Sequence, residues 1–444
     1  MSALARWFKH QGAKVCGYDR TPSPLTEALQ SEGMEIHFED SLDCLPEELK
    51  SLNNRALIVY TPAVPATHKQ LNFLSEKGFR LYKRAEVLGL ISEKDYTVGV
   101  AGTHGKTTTS SMLAHLLDNA HQNCTAFLGG ISKNFKSNLR LAQNTEMQNC
   151  TVVEADEYDR SFLQLHPNQA IVTSVDPDHL DIYGEADAFV CSFGEFVNRI
   201  EDGGKCWLSD KVSGEALKIK QTLEVKRYGL EDDSLDAFAC NIRVDEGYSV
   251  FDFREGNTQI CDLRLLTPGE HNIENMTAAI AVALSLGCTE ENIRSGVESY
   301  TGVKRRFEYI VKRKDFVFMD DYAHHPTEVS AFLNAVKKLY PGRELSVIFQ
   351  PHLFSRTKDF AKEFGKSLSL ADRLYLLDIY PAREEPMEGV SSKLILDEVM
   401  NNRKHWFSEA ELLQHLKAEK PEVLVTLGAG DVFKLIEPIG NLFE

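Results

Sequence analysis

Seven consecutive residues, Gly102, Thr103, His104, Gly105, Lys106, Thr107 and Thr108, have the types and spacing needed to hold a chain of phosphates. Glycines let backbone N–H groups close around phosphate oxygens, and a helix starting at the lysine adds the positive end of its dipole. A lysine here reaches the β- and γ-phosphates, and a hydroxyl at Thr107 suits Mg2+. The strict form of the pattern has another glycine five places before Gly105, where Val100 stands. An apolar strand before the turn, and Met112, Leu113, Leu116 and Leu117 after it, supply the strand, turn and helix that such a loop requires.

Further along, CTVVEADEYD brings a hydrophobic strand to a carboxylate end, where nucleotide-binding folds put a metal ligand. Glu154 is nearest the strand end and is the expected ligand, although a solvated acidic loop has the same composition. AIVTSV leads to DPDHLD, in which His179 either joins a second divalent cation or hydrogen-bonds to neighbouring aspartates. In GVKRRF, Lys304 and Arg305 are expected in solvent, and one arginine of the run is expected to reach a γ-phosphate. The strand in FVFMDDYAHHP ends at Asp321, Tyr322 and His324, and that in LSVIFQPHLFSRT ends at His352 and Arg356. These two strands are expected to be neighbours delivering His and Arg to one edge of an open α/β sheet. Arg356, always charged and able to make two parallel bonds, suits a substrate carboxylate.

The elements that must position these residues fall into three stretches. Residues 1–94 alternate short strands (KVCGY, ALIVY) with helical segments (SALARWFKH, HKQLNFLSEKG), which is βαβ texture and implies a parallel, Rossmann-like sheet. Residues 95–301 hold YTVGVAG, TVVEAD, AIVTSV and KCWLS as strands of a P-loop-type ATP-binding domain. Three antiparallel-looking strands follow (DAFACNIRV, YSVFDFR, QICDLRLL), then a helix, HNIENMTAAIAVALSLG, capped by Gly287. Residues 302–444 read as a second Rossmann-like α/β domain, with FVFMDD, LSVIFQ, RLYLLDIY and EVLVTLGAG as strands. The expected fold class is therefore α/β with three domains. The first domain reads as a helix followed by a strand, without the opening strand and glycine-rich turn of its type. The natural protein is accordingly expected to start about 10–20 residues upstream of Met1.

Bulk properties narrow the function classes. The 444 residues are 43% hydrophobic and 26% charged, with a formal net charge of −17. That balance excludes a basic nucleic-acid-binding face, and an anionic substrate must be held by a few placed cations. No apolar run approaches a membrane span, and the first residues lack the features of a signal peptide, so a cytoplasmic protein without membrane or nucleic-acid partners is expected. The nine cysteines contain no CxxC pair and are expected to be small buried hydrophobes.

Taken in order, GTHGKTTT, EADEYDRSFL, DPDHLDIYG, HNIENMTAA, GVKRRFE, DDYAHHPTEV and FQPHLFSRT resemble the Mur ligase family, over about residues 98–358. The resemblance implies domains for UDP-substrate, ATP and amino acid, in that order. It implies that ATP phosphorylates the carboxylate of UDP-N-acetylmuramate and that L-alanine attacks the acyl phosphate, a step of bacterial cell-wall synthesis. It further implies that Gly102–Thr108, with Lys106 and Thr107, hold ATP and Mg2+, that Glu154 binds one Mg2+ and His179 a second, and that Asn272 and Asn275 lie near adenine. Arg306 would lie near the γ-phosphate, Asp321, Tyr322 and His324 at the nucleotide and reaction edge, and His352 and Arg356 at L-alanine. Lys106, His179, Arg306, His324 and His352 are the implied catalytic set, in a monomer or weak homo-oligomer. Many relatives carry a carbamoylated lysine about 14 residues after the DHL histidine. Phe193 stands there, which argues against the members adding later amino acids. The rival readings are a recycling ligase that attaches a whole tripeptide and a non-catalytic nucleotide-binding relative.

Overall fold

Short βα repeats open the chain because brief apolar runs alternate with helical ones. A computed structural model of the protein describes every residue except 52–54, 145–147, 177–182, 246, 383 and 444. The chain divides into two compact units: residues 1–238 with 278–293, and residues 239–277 with 294–444.

In the first unit, helices α1 (Ser2–His10), α2 (Pro24–Ser31), α3 (Lys69–Glu76) and α4 (Arg84–Ser92) accompany two parallel strand pairs. Strand β1 (Cys16–Tyr18) pairs with β2 (Glu35–His37), and β3 (Ile58–Tyr60) with β4 (Leu81–Lys83). The expected strands and helices of this stretch are present, but as two separate pairs, each three residues long. Helix α2 starts at Pro24 behind Ser23, whose hydroxyl caps the Thr26 N–H, so the turn after β1 is closed by ordinary capping chemistry.

The larger sheet of this unit contains β5 (Tyr96–Ala101), β6 (Cys124–Ser132), β7 (Ser137–Arg140), β8 (Cys150–Glu154), β9 (Gln169–Val172), β10 (Lys205–Ser209) and β11 (Glu224–Leu230). Their spatial order is β11-β10-β9-β5-β8-β6-β7. Strand β5 is central, paired in parallel with β8 on one side and β9 on the other. Its Val98, Val100 and Ala101 are wholly buried, as a strand covered on both faces requires. Helix α5 (Lys106–Asn119) follows, with Met112, Leu113, Leu116 and Leu117 at 0% exposure. Helix α6 (Ala186–Val197) lays Phe189, Phe193 and Phe196 into the same core, and both Phe193 and Phe196 contact the ring of Phe162 at centroid distances of 5.1 Å. Phe193 is therefore core packing, an environment in which a charged lysine would be costly.

Strand β12 (Ala237–Asp245) crosses the division between the units, and β13 (Tyr248–Glu255) and β14 (Thr258–Leu265) form an antiparallel pair in the second. Helix α7 (Glu270–Ser285) is the long apolar helix expected from the sequence, and Gly287 beyond it has φ +90°.

The second unit also carries β15 (Glu308–Lys312), β16 (Val317–Asp321), β17 (Leu345–Phe349), β18 (Arg373–Leu376), β19 (Lys404–Trp406) and β20 (Val423–Leu427), in the order β15-β16-β20-β17-β18-β19. Pairings are parallel apart from β15 with β16. Strands β16 and β17 are not neighbours, because β20, last in sequence, inserts between them. Two strands of similar apolar content give no local signal of which partner each will take, so the expected adjacency failed. Among the described residues no helix is long and apolar enough to cross a membrane. All nine cysteines are free; Cys124, Cys206 and Cys288 are buried, but Cys191 is exposed, so the expectation of buried cysteines holds only in part.

Candidate active site

Because β5 is flanked by β8 and β9, the turn that leaves it lies between the carboxyl ends of both neighbours. Gly102 has φ +144°, and a Cβ added there would fall 1.9 Å from Thr173 Oγ1, so only glycine fits beside β9. The turn is tied down by Thr103 N–H to Ser174 O (3.2 Å), His104 N–H to Ser174 Oγ (2.9 Å) and Thr103 Oγ1 to Asp176 O (2.7 Å). Gly105 then takes φ +80° as the N-cap residue of α5.

Lys106 points back across this turn. Its Nζ donates to Gly102 O at 2.6 Å and to Glu157 Oε1 at 2.8 Å, and lies 2.7 Å from Glu157 Oε2. Burial by itself would lower the Lys106 pKa, but Glu157 and the nearby Asp156 and Glu154 carboxylates hold it above its ordinary value. Glu157 is 2% exposed, and its burial pushes the carboxyl up to about 7 even with the ammonium beside it. The Tyr183 hydroxyl donates to the Glu157 carbonyl at 2.6 Å and fixes the backbone there.

At the next position Thr107 Oγ1 donates to Glu154 Oε1 at 2.8 Å, and Gly129 N–H donates to Glu154 Oε2 at 2.7 Å. A hydroxyl and a carboxylate so close, at the start of a helix, form a pair of hard oxygen donors that one Mg2+ could share. Among the described residues no group of three or more His, Cys, Asp or Glu is arranged to hold a metal. His179 lies outside the described residues.

In the second unit, the segment around β16 builds another cluster. Arg305 is not in solvent as expected: its Nε donates to the fully buried Asp320 at 3.0 Å and its Nη2 to Gly428 O at 2.6 Å. A buried carboxylate at the end of β16 needs a cation, and Arg305, with φ +60°, turns inward to supply it. Lys304 is exposed as expected. Arg306 lies over the Tyr322 ring at 5.1 Å and 3.8 Å from Glu328 Oε1. Asp321 is buried, accepting from Phe307 N–H (2.6 Å) and Ala323 N–H (2.7 Å), and burial pushes its carboxyl up to about 6. His324 Nδ1 donates to Tyr322 O at 3.0 Å and lies 3.2 Å from Glu328 Oε2.

His352 and Arg356 are brought together with His324. The two histidine rings are 6.0 Å apart, His352 Nδ1 is 3.4 Å from Arg356 Nη1, and Tyr380 stacks on His352 at 5.8 Å. Arg356 is buried. Asn272 and Asn275 are buried on α7, and the Asn272 amide donates to Pro268 O at 2.6 Å.

Three family models cover most of the chain: "Mur ligase family, catalytic domain" at residues 1–96, "Mur ligase middle domain" at 100–283 and "Mur ligase, glutamate ligase domain" at 305–430. The chain belongs to the Mur ligase family. Proteins named UDP-N-acetylmuramate–L-alanine ligase from Flavobacterium johnsoniae and Porphyromonas gingivalis are each 46% identical to it; both matches span 100% of this chain and, respectively, 95% and 96% of the relative. The crystal structure of UDP-N-acetylmuramate-alanine ligase from Thermotoga maritima superposes with a TM-score of 0.82 at 24% identity, covering 100% of this chain and 96% of that one. A murein peptide ligase from Psychrobacter arcticus gives 0.70 at 22% identity, covering 99% and 96%.

Several residues of this Mur ligase that shape the site were not singled out from sequence. Glu157 stands in the same acidic run as Glu154, and the run itself was the only signal. Thr173, Ser174 and Gly129 carry no motif, since their role comes from strand order alone. Asp320 is next to Asp321, and nothing local tells which of two adjacent aspartates faces an arginine.

Proposed function

We propose that this Mur ligase joins L-alanine to UDP-N-acetylmuramate at the expense of ATP. The observation that carries the substrate choice is 44–47% identity, over 98–100% of the chain, to eight proteins named for that reaction. The chemistry is supported by the loop geometry. Gly102–Thr108 wrap the phosphates, and Lys106 leaves Glu157 to face the β- and γ-phosphates. Thr107 and Glu154 would hold Mg2+, and His179 would hold a second. When bound, Mg2+ offsets the charge that builds on the transferring phosphoryl group. Asn272 and Asn275 would serve the adenine, Arg306 and Asp321 the phosphate end, and Tyr322 the substrate. Residues 1–94, 95–301 and 302–444 would take the UDP-substrate, ATP and amino acid respectively.

A carboxylate oxygen of the muramoyl group attacks the γ-phosphorus and ADP leaves. The amine of L-alanine then attacks the acyl carbon, and phosphate departs with that carboxylate oxygen. Arg356 grips the L-alanine carboxylate, and His324 and His352 are placed to take the proton the attacking ammonium must lose. The test is isotopic: with both muramoyl carboxylate oxygens labelled with oxygen-18, one label should appear in the released phosphate and one in the amide. Unlabelled phosphate would refute the acyl-phosphate route.

The likeness to the murein peptide ligase, at 22% identity, bears on the fold alone and does not favour the recycling reading, in which a tripeptide replaces L-alanine.

A further inference from the structure

Resting on the reading of Arg356 as the group that grips the amino-acid carboxylate, we propose that Glu384 is a positioning residue for it. Glu384 acts through the short helix α8 (Phe354–Asp359) that carries the arginine. This helix has no cap of its own: its N-cap residue is Leu353, which offers no side-chain acceptor and sits at φ +71°. The missing acceptor comes from another loop. Glu384 Oε2 accepts from Ser355 N–H at 3.0 Å, and Glu384 Oε1 accepts from the Ser355 hydroxyl. One carboxylate thus satisfies two donors in the first turn, directly before Arg356 in the chain, and its charge suits that end of a helix.

The same segment holds the other side of the loop. Tyr380 N–H donates to Pro351 O at 2.8 Å, and Leu353 N–H donates to Tyr380 O at 2.9 Å. His352 and Tyr380 form an isolated bridge, with the Tyr380 ring stacked on the imidazole. The Tyr380 ring is backed by Gly430, where an added Cβ would lie 2.6 Å from Tyr380 Cβ. The residues after β18 therefore form a mould: Tyr380 fixes the backbone at His352, and Glu384 fixes the turn at Arg356. Leu353 can keep its strained conformation only because the loop is held on both sides. A guanidinium must meet a carboxylate with both N–H groups aligned, so a small rotation of α8 loses most of the grip.

The test compares steady-state kinetics of the full chain with Glu384→Ala, Glu384→Gln, Ser355→Ala and Arg356→Lys. Glu384→Ala should raise KM for L-alanine by about 10- to 100-fold and leave KM for ATP within about twofold. Glu384→Gln, which can still accept from Ser355 N–H and donate to its hydroxyl oxygen, should restore most of the affinity. Ser355→Ala removes only half the contact and should shift the same constant by less, so the proposal stays testable even if Glu384→Ala does not fold. If Arg356→Lys raises KM for L-alanine while Glu384→Ala and Ser355→Ala do not, the positioning role is wrong. The same holds if Glu384→Ala raises both KM values together. If Arg356→Lys itself leaves KM for L-alanine unchanged, the reading of Arg356 falls, and the proposal with it.

Discussion

Lys106 Nζ lies 2.7 Å from Glu157 Oε2, so the lysine of the glycine-rich turn is held by a buried carboxylate in the loop after β8, the strand beside β5. It is not an exposed, freely rotating side chain. The pair keeps the ammonium charged inside the fold and gives it a partner that phosphates can displace.

Replacing Lys106 should therefore harm both turnover and stability. Lys106→Ala should lower turnover by roughly 3 kcal/mol of transition-state stabilisation or more. It should also cost roughly 3 kcal/mol of stability at about pH 8, where the buried Glu157, without its cation, must either stay charged and unpaired or take up a proton. Lys106→Ala with Glu157→Gln should regain much of the lost stability and none of the turnover. Thermal unfolding beside a phosphate-release assay reads both; equal stability of the single and double variants would refute the pairing.

Gly102→Ala should lower the melting temperature and raise KM for ATP. The added methyl would overlap Thr173 Oγ1, and its backbone conformation costs a non-glycine residue about 1–3 kcal/mol. Unchanged nucleotide binding in calorimetry would show that the turn does not shape the phosphate site.

Glu154→Gln keeps an acceptor for Gly129 N–H and removes the charge beside Thr107. The Mg2+ concentration for half-maximal turnover should rise by about tenfold or more, with stability little changed. A Mg2+ titration identical to that of the unaltered chain would exclude Glu154 as a ligand.

Asp321 gives a pH prediction with a definite sign. Burial pushes its carboxyl up to about 6, against Arg306 and two N–H donors that favour the charged form. A folded pKa above the unfolded value of about 4 means that the folded chain binds the proton more tightly between them. The contribution is fully present below the unfolded value and is lost as pH rises through about 6. Asp321→Asn should flatten that part of the stability curve, as seen in melting temperatures across about pH 4–7. An unaltered curve would assign the slope to another group.

Much of this was legible in the sequence, for physical reasons that differ from place to place. The strand, turn and helix around Gly102–Thr108 were readable because they are local: Val98 and Val100 bury, the turn glycines supply conformations other residues avoid, and α5 packs Met112 to Leu117 inward. The pairing of Lys106 with Glu157, 51 residues away, was not, because it depends on β8 lying beside β5. The same gap explains Arg305. Lys304 and Arg305 read as solvated, and only the fold shows Asp320 buried against the arginine. It also explains why β16 and β17 were expected to touch, when β20 lies between them.

The most direct measurement of the central claim is phosphate release from ATP by the full chain with UDP-N-acetylmuramate, assayed in parallel with L-alanine, L-serine, glycine and the tripeptide. The account predicts release that requires both UDP-N-acetylmuramate and an amino acid and is fastest with L-alanine at equal, sub-saturating concentrations. Release driven by the tripeptide and not by L-alanine would contradict it, as would no substrate-dependent release at all.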